Sequence, residues 1–151
     1  MAEKLHKLIT GLSFEDQIKV IKQYYGVKVR WNKILPHKNA AGEVDIFYTT
    51  VILNKTITNK QFMLSTLFHE IGHIHCYRHD IWVEYHKIRK EVDFETHEKI
   101  KRTGLKAERW VEKWGEKEMK KWYPYRQYAS TYDGAYGKKW MVLWYKRAYG
   151  F

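Results

Sequence analysis

Four histidines, a glutamate and a cysteine fall within fifteen consecutive residues of this chain, in the segment 66–80, which reads TLFHEIGHIHCYRHD. Imidazole, carboxylate and thiolate groups are the usual zinc ligands in proteins. The segment therefore suggests a metal site, and the spacing of its side chains decides whether such a metal would only hold the fold together or would also take part in a reaction.

His69, Glu70 and His73 form an H-E-x-x-H pattern. On a helix, positions i and i+4 lie one turn apart on the same face, so both imidazoles can reach one tetrahedral zinc ion. Glu70 points beside that face, where its carboxylate can take a proton from a water molecule held by the metal. With eight histidines in the chain, chance alone would produce about 0.03 such patterns. The spacing therefore favours a zinc site with an adjacent base over coincidence.

A catalytic zinc usually has three protein ligands and leaves its fourth position to water. We expect Glu108 to be the third ligand, because Glu108, Val111 and Gly115 recur at i, i+3 and i+7 on one face of a predicted helix. The glycine would let this helix approach another closely and bring the carboxylate to the metal. The alternative is that Glu108 is one surface glutamate among several in a charged helix.

Other residues remain open as ligands. His79 lies six residues after His73, without the H-E-x-x-H-x-x-G-x-x-H pattern of a three-histidine site. His75 lies on another helical face. Cys76, three residues after His73, would close the site if it were a fourth ligand, although a buried thiol is the simpler interpretation. Two further candidates lie in a charged segment: Asp93 and His97.

The elements before this motif predict an α+β fold in which a small antiparallel sheet packs on a central zinc-binding helix with further helices around it. A helix is expected over 14–25, with Ser13 as N-cap and Gly26 as its end. The alternation of 27–31 predicts a half-buried strand. The β-branched and aromatic segment 43–56 predicts two short strands or one bent strand.

The later elements are predicted to be helical. Thr58 and Gln61 fit a capping box that starts the central helix, which is apolar on more than one face and should be largely buried. A second helix is expected over about 81–102, with Gly104 breaking it. A third is expected over about 105–122, ending before Pro124.

Composition indicates a single domain over 1–151, with a core at about 14–122 and a basic, aromatic C-terminal extension at about 123–151. The formal charge of +11 fits either a self-repelling surface or contact with nucleic acid or an acidic partner through that extension. The single cysteine and the polar N-terminal segment indicate a cytoplasmic protein with no membrane span.

The sequence TLFHEIGH at 66–73 resembles the zinc-binding helix of gluzincin metallopeptidases, particularly the ImmA/IrrE-like group. The series Glu108, Val111, Glu112 and Gly115 is loosely similar to the Glu-x-x-Ala-Asp/Asn-x-x-Ala helix of that group. The resemblance covers roughly 14–122. The ending KWGEKEMKKWYP departs from the group. No helix-turn-helix is expected within residues 1–151, and in this respect the sequence resembles short phage-like forms.

The resemblance implies a minimal zincin-like fold and a zinc-dependent endopeptidase that cleaves a regulatory or DNA-bound protein. It implies Zn²⁺ held by His69, His73 and Glu108, with Glu70 as the general base. An exposed strand edge within 43–56 would hold the substrate in an extended conformation.

Two alternatives stay open. An SprT-like protease acting on DNA-bound proteins would share H-E-x-x-H but use a third histidine, such as His79 or His97. A non-catalytic zinc- or nucleic-acid-binding protein would need no base, and the presence of Glu70 speaks against it.

Overall fold

The computed structural model describes residues 2–32, 42–45, 49–55, 59–82 and 94–128. Within these residues, four helices and three strands follow one another as α1 Ala2–Ile9, α2 Phe14–Tyr25, β1 Lys28–Asn32, β2 Gly42–Asp45, β3 Thr50–Asn54, α3 Lys60–Arg78 and α4 Phe94–Trp122. The expected α+β class is therefore present, with α1 as an unforeseen first helix. None of the described helices is long and apolar enough to cross a membrane.

The predicted ends of α2 are confirmed. The Ser13 side chain accepts a hydrogen bond from the backbone N–H of Asp16, which satisfies one donor at the first turn. Gly26 ends the helix in a left-handed conformation with φ 63°, which glycine adopts without steric cost. This turn leads directly into β1, and Ile18 and Ile21 face the core.

The sheet is mixed, so the expected antiparallel sheet is wrong in one of its two pairings. The strand order is β1-β3-β2. β2 and β3 are antiparallel, as expected of the two short strands predicted in 43–56, but β1 runs parallel to β3. Alternating hydrophobicity identifies a strand without specifying its neighbour, and here β1 and β2 lie at opposite edges of the described sheet.

Helix α3 is the central, largely buried helix that its apolar residues predict. The predicted capping box is wrong, because the N-cap is Asn59, whose side chain accepts a hydrogen bond from the N–H of Phe62. Thr58 lies outside the described residues. From Leu64 to Ile74 every side chain of α3 is buried, so this helix packs against neighbours on all sides.

Helix α4 is one continuous helix through Gly104, so the predicted break at that residue is wrong. A glycine inside a helix costs about 1 kcal/mol relative to alanine and does not by itself end the helix. The predicted end before Pro124 is confirmed, because α4 ends at Trp122. Of the predicted helix over 81–102, Ile81 and Trp82 form a turn and residues 83–93 lie outside the described residues.

The core joins α1, α2 and the sheet to the crossing of α3 and α4. Its largest buried side chains include Trp122 and Phe68. Tyr123 and Tyr128 also pack on this core, so the start of the predicted C-terminal extension belongs to the folded body. The rest of that extension, 129–151, with its predicted nucleic-acid contacts, lies outside the described residues.

Candidate metal centre

Helix α3 presents both motif histidines from one buried face. His69 and His73 lie four residues apart, and their Nε2 atoms are 3.2 Å from each other. Both side chains are buried, with exposed fractions of 7% and 5%. Two imidazole nitrogens that face one another at this distance inside the protein offer a pair of ligand atoms to one ion.

Helix α4 adds the carboxylate of Glu108 to this pair. Its Oε2 lies 2.8 Å from Nε2 of His69, and its Oε1 lies 3.3 Å from Nε2 of His73. The three side chains are the only histidine, cysteine, aspartate and glutamate group within the described part of the chain that could hold a metal ion. The structure thus brings together the three residues expected to be ligands.

Two glycines let α3 and α4 cross closely enough for this arrangement. A Cβ atom at Gly72 would lie 2.8 Å from Cγ1 of Val111, and one at Gly115 would lie 3.3 Å from the backbone N of His69. Each contact is shorter than ordinary van der Waals separation. The close approach predicted at Gly115 is therefore present, and Gly72 provides it from the other helix.

A second carboxylate of α4, that of Glu112, contacts the ring nitrogen of His69 that does not face Glu108. Oε1 of Glu112 lies 2.5 Å from Nδ1 of His69. Because a histidine whose Nδ1–H donates to a carboxylate directs Nε2 toward the metal, this contact fixes the tautomer that a ligand needs. The same Glu112 oxygen accepts a hydrogen bond from the hydroxyl of Tyr128 at 2.8 Å.

The charges of the site are strongly coupled. Burial alone would lower the pKa of His69, but the carboxylates of Glu108 and Glu112 raise it well above its usual value. Burial would likewise raise the pKa of Glu108, but His73 and His69 hold it well below its usual value. Each shift has the same physical cause, the attraction between the two imidazoles of α3 and the carboxylates of α4 inside the protein.

Glu70 is buried beside the three ligand candidates and is not one of them. Burial raises its pKa above the usual value, and this rise is opposed by the nearby His69 and His73. A carboxylate whose pKa is shifted toward neutrality is a better proton acceptor and donor at neutral pH than an ordinary surface glutamate.

The alternative ligands lie apart from this group. His75 is half-buried and its ring stacks on Trp114 with a centroid separation of 4.9 Å. His79 is exposed at the end of α3. Cys76 is buried, and burial raises its pKa to about 12, but its sulfur does not belong to the ligand group. Two candidates cannot be placed, because their side chains lie outside the described set: Asp93 and His97.

Sequence reasoning did not assign Glu112 and Tyr128. A signal for Glu112 existed, because Glu108 and Glu112 lie at i and i+4 on α4, and His69 and His73 have the same spacing on α3. When two helices with this spacing are in contact, a carboxylate on each of two successive turns of α4 can reach the histidines of α3. For Tyr128 no comparable signal exists, since it is one of twelve tyrosines in the chain.

Comparison of this chain with protein-family models, curated proteins and solved structures gives no match.

Proposed function

We propose that this protein is a zinc-dependent endopeptidase of the gluzincin type, similar to the ImmA/IrrE-like group, and that it cleaves a regulatory or DNA-bound protein. The observation that carries this proposal is the convergence of His69, His73 and Glu108 on one buried point, with Glu70 next to them on α3. Three protein ligands and an adjacent base form the minimum set for metal-assisted hydrolysis.

The spacing of the ligand atoms supports a zinc ion. Zn–N and Zn–O bonds of about 2.0–2.2 Å in tetrahedral geometry place neighbouring ligand atoms about 3.3–3.6 Å apart. The observed separations are 3.2 Å between the two histidine nitrogens, and 2.8 and 3.3 Å from these to the Glu108 oxygens. Two imidazoles and one carboxylate are also the donor set of known catalytic zinc sites, which leave one position for water.

Each residue then has a distinct task. A zinc ion held here would supply the activation of water and the polarisation of the substrate carbonyl. His69, His73 and Glu108 would hold it, and Glu112, in contact with Nδ1 of His69, would keep the ring of that histidine oriented. Glu70 takes a proton from the attacking water on its carboxylate and delivers it to the leaving amine nitrogen.

The position of β2 supports a peptide substrate. This strand lies at an edge of the described sheet and packs on α3 at Thr66, where a Cβ at Gly42 would come within 2.7 Å of the threonine methyl. An extended peptide that adds to a sheet edge gains main-chain hydrogen bonds. An edge strand beside the metal-binding helix would place such a peptide near the base.

The proposal includes a polyanionic partner, nucleic acid or acidic protein, contacted through the basic C-terminal region, and a cytoplasmic location. The net charge of +11 supports such a partner. The outer face of α4 adds support, because it exposes Lys106, Lys113 and Lys117 on the side opposite the metal centre. Binding to duplex DNA that weakens steeply between low and moderate salt would support this part, and binding that is absent or insensitive to salt would remove the nucleic-acid version.

The test of peptidase activity compares two zinc-loaded proteins. The wild type and Glu70→Gln are each incubated with a proteome-derived protein and peptide library, and the new N-termini are identified. Glu70→Gln keeps the size of the side chain and cannot take the proton, so we expect it to fold and to retain zinc. General-base loss typically lowers the rate by about 10²–10⁴-fold, and the new termini should therefore come from the wild type alone.

Two results would contradict the proposal. Wild-type protein that contains one zinc per chain and yields no new termini would indicate a non-catalytic zinc protein. Equal cleavage by zinc-loaded Glu70→Gln would mean that Glu70 is not the base.

A further inference from the structure

The segment after α4 returns to the metal centre. Tyr128 lies six residues beyond the end of α4, yet its hydroxyl donates a 2.8 Å hydrogen bond to Oε1 of Glu112. The same hydroxyl occupies the space beside Gly115, where a Cβ atom would lie 3.2 Å from the tyrosine oxygen. Gly115 therefore makes room for this hydroxyl as well as for the backbone of α3.

We propose that Tyr128 is a positioning residue for zinc, acting through Glu112 on the His69 imidazole. This inference rests on the metal site proposed above. One oxygen, Oε1 of Glu112, is shared between two donors, the Tyr128 hydroxyl and Nδ1–H of His69. The hydroxyl thus limits the orientations that the carboxylate can adopt, and the carboxylate limits those of the imidazole.

The physical consequence is preorganisation of a ligand. The side chain of Glu112 has several rotatable bonds. If two hydrogen bonds already hold its carboxylate, the side chain loses less conformational freedom when His69 binds a metal than it would with a single hydrogen bond. Hydrogen bonds to a charged acceptor are also the stronger class. Mutation of a residue that orients a metal-binding histidine through its other ring nitrogen typically lowers metal affinity by about 10–100-fold.

The competing interpretation is that Tyr128 only packs. Its ring contacts the hydrophobic core, so a substitution could destabilise the protein without acting on the metal. Tyr128→Phe keeps the ring and removes the hydroxyl alone, which separates the two roles. Tyr125→Phe is the matched control, because Tyr125 is 92% exposed and lies in the same segment.

The experiment measures the zinc dissociation constant of each protein by competition with a chromophoric chelator, together with the thermal unfolding of the metal-free forms. We expect Tyr128→Phe to weaken zinc binding by about tenfold, at the lower end of the range for orienting residues. Tyr125→Phe should leave zinc binding unchanged. Incorporation of 4-aminophenylalanine at position 128, which retains an N–H donor, should restore most of the affinity.

A double-mutant cycle shows whether the effect passes through Glu112. In a Glu112→Met background the acceptor is gone, so Tyr128→Phe should change zinc affinity by less than about twofold, because residues acting through one contact are not additive. The visible spectrum of the Co²⁺-substituted protein depends on ligand geometry. Tyr128→Phe should therefore change this spectrum when Glu112 is present and leave it nearly unchanged in the Glu112→Met background.

Several results would overturn the inference. Unchanged zinc affinity in Tyr128→Phe would do so, as would an equal loss in the presence and absence of Glu112. Failure of metal-free Tyr128→Phe to fold, with Tyr125→Phe intact and no rescue by 4-aminophenylalanine, would assign Tyr128 to the core alone. A wild-type protein that binds no zinc would instead remove the metal site on which the inference rests.

Discussion

Oε1 of Glu112 lies 2.5 Å from Nδ1 of His69, on the side of the imidazole ring that faces away from Glu108. His69 is therefore held between two carboxylates of the same helix, one at each ring nitrogen. The two glutamates are one turn apart on α4, and only one of them points to the position where the two histidines converge. This relationship distinguishes Glu108, the ligand candidate, from Glu112, which contacts the other ring nitrogen of His69.

Glu112→Gln should weaken zinc binding without removing the site. The amide keeps the length of the side chain but loses the negative charge that holds Nδ1–H of His69. We expect the zinc dissociation constant to rise by about 10–100-fold, measured by chelator competition. Glu116→Gln is the control, since Glu116 is exposed on the same helix, and an equal effect of both substitutions would argue against a specific role for Glu112.

Gly72→Ala should push α3 and α4 apart. The new methyl group would meet Cγ1 of Val111 at 2.8 Å and Cε3 of Trp114 at 3.2 Å. Overpacking of this kind costs about 1–3 kcal/mol, against a helix-propensity gain of up to about 1 kcal/mol. We expect a net loss of about 1–2 kcal/mol in the free energy of unfolding of the metal-free protein, together with weaker zinc binding.

The compensating substitution tests the cause. Val111→Ala removes the methyl group that Gly72→Ala would meet, so the double variant should bind zinc better than Gly72→Ala alone. If the double variant bound zinc no better than Gly72→Ala, the contact between these two positions would not be what spaces the helices.

Zinc binding should release protons. Burial lowers the pKa of His69, but Glu108 and Glu112 outweigh this effect and raise the pKa well above its usual value. We therefore expect this imidazole to be protonated at neutral pH in the metal-free protein. Zinc must displace the proton on Nε2, because a metal ligand has to be deprotonated. Affinity should therefore fall as the pH is lowered, by up to about tenfold per pH unit for one proton.

Calorimetry in buffers of different ionisation enthalpy measures this release directly. About one proton per zinc is expected near pH 7. An affinity that is independent of pH between 6 and 8, with no buffer dependence of the binding enthalpy, would show that His69 is neutral before the metal binds.

The sequence predicts the centre of the site well because that part is local. His69, Glu70 and His73 lie on one helix, and the 3.6-residue repeat alone sets their relative directions. Glu108 is distant along the chain, but Gly115 on the same face indicates close helix contact, and the structure places both against α3. Their roles as ligands and base stay predictions.

What the sequence does not reveal depends on long-range pairing. The parallel alignment of β1 with β3 follows from the path of the chain and not from the alternation of either strand. Tyr128 reaches Glu112 only because the residues after Pro124 fold back along α4. Gly104 illustrates a local rule overridden by context, since the helix continues through it despite the unfavourable propensity.

Metal analysis of the wild type and of Glu108→Ala tests the ligand set most directly, with His75→Ala and Cys76→Ala as matched controls. We expect one zinc per chain in the wild type and in both controls, and a large loss of zinc in Glu108→Ala, because two histidines alone form an incomplete site. Full retention of zinc by Glu108→Ala, or its loss from Cys76→Ala, would contradict the assignment and place the third ligand elsewhere.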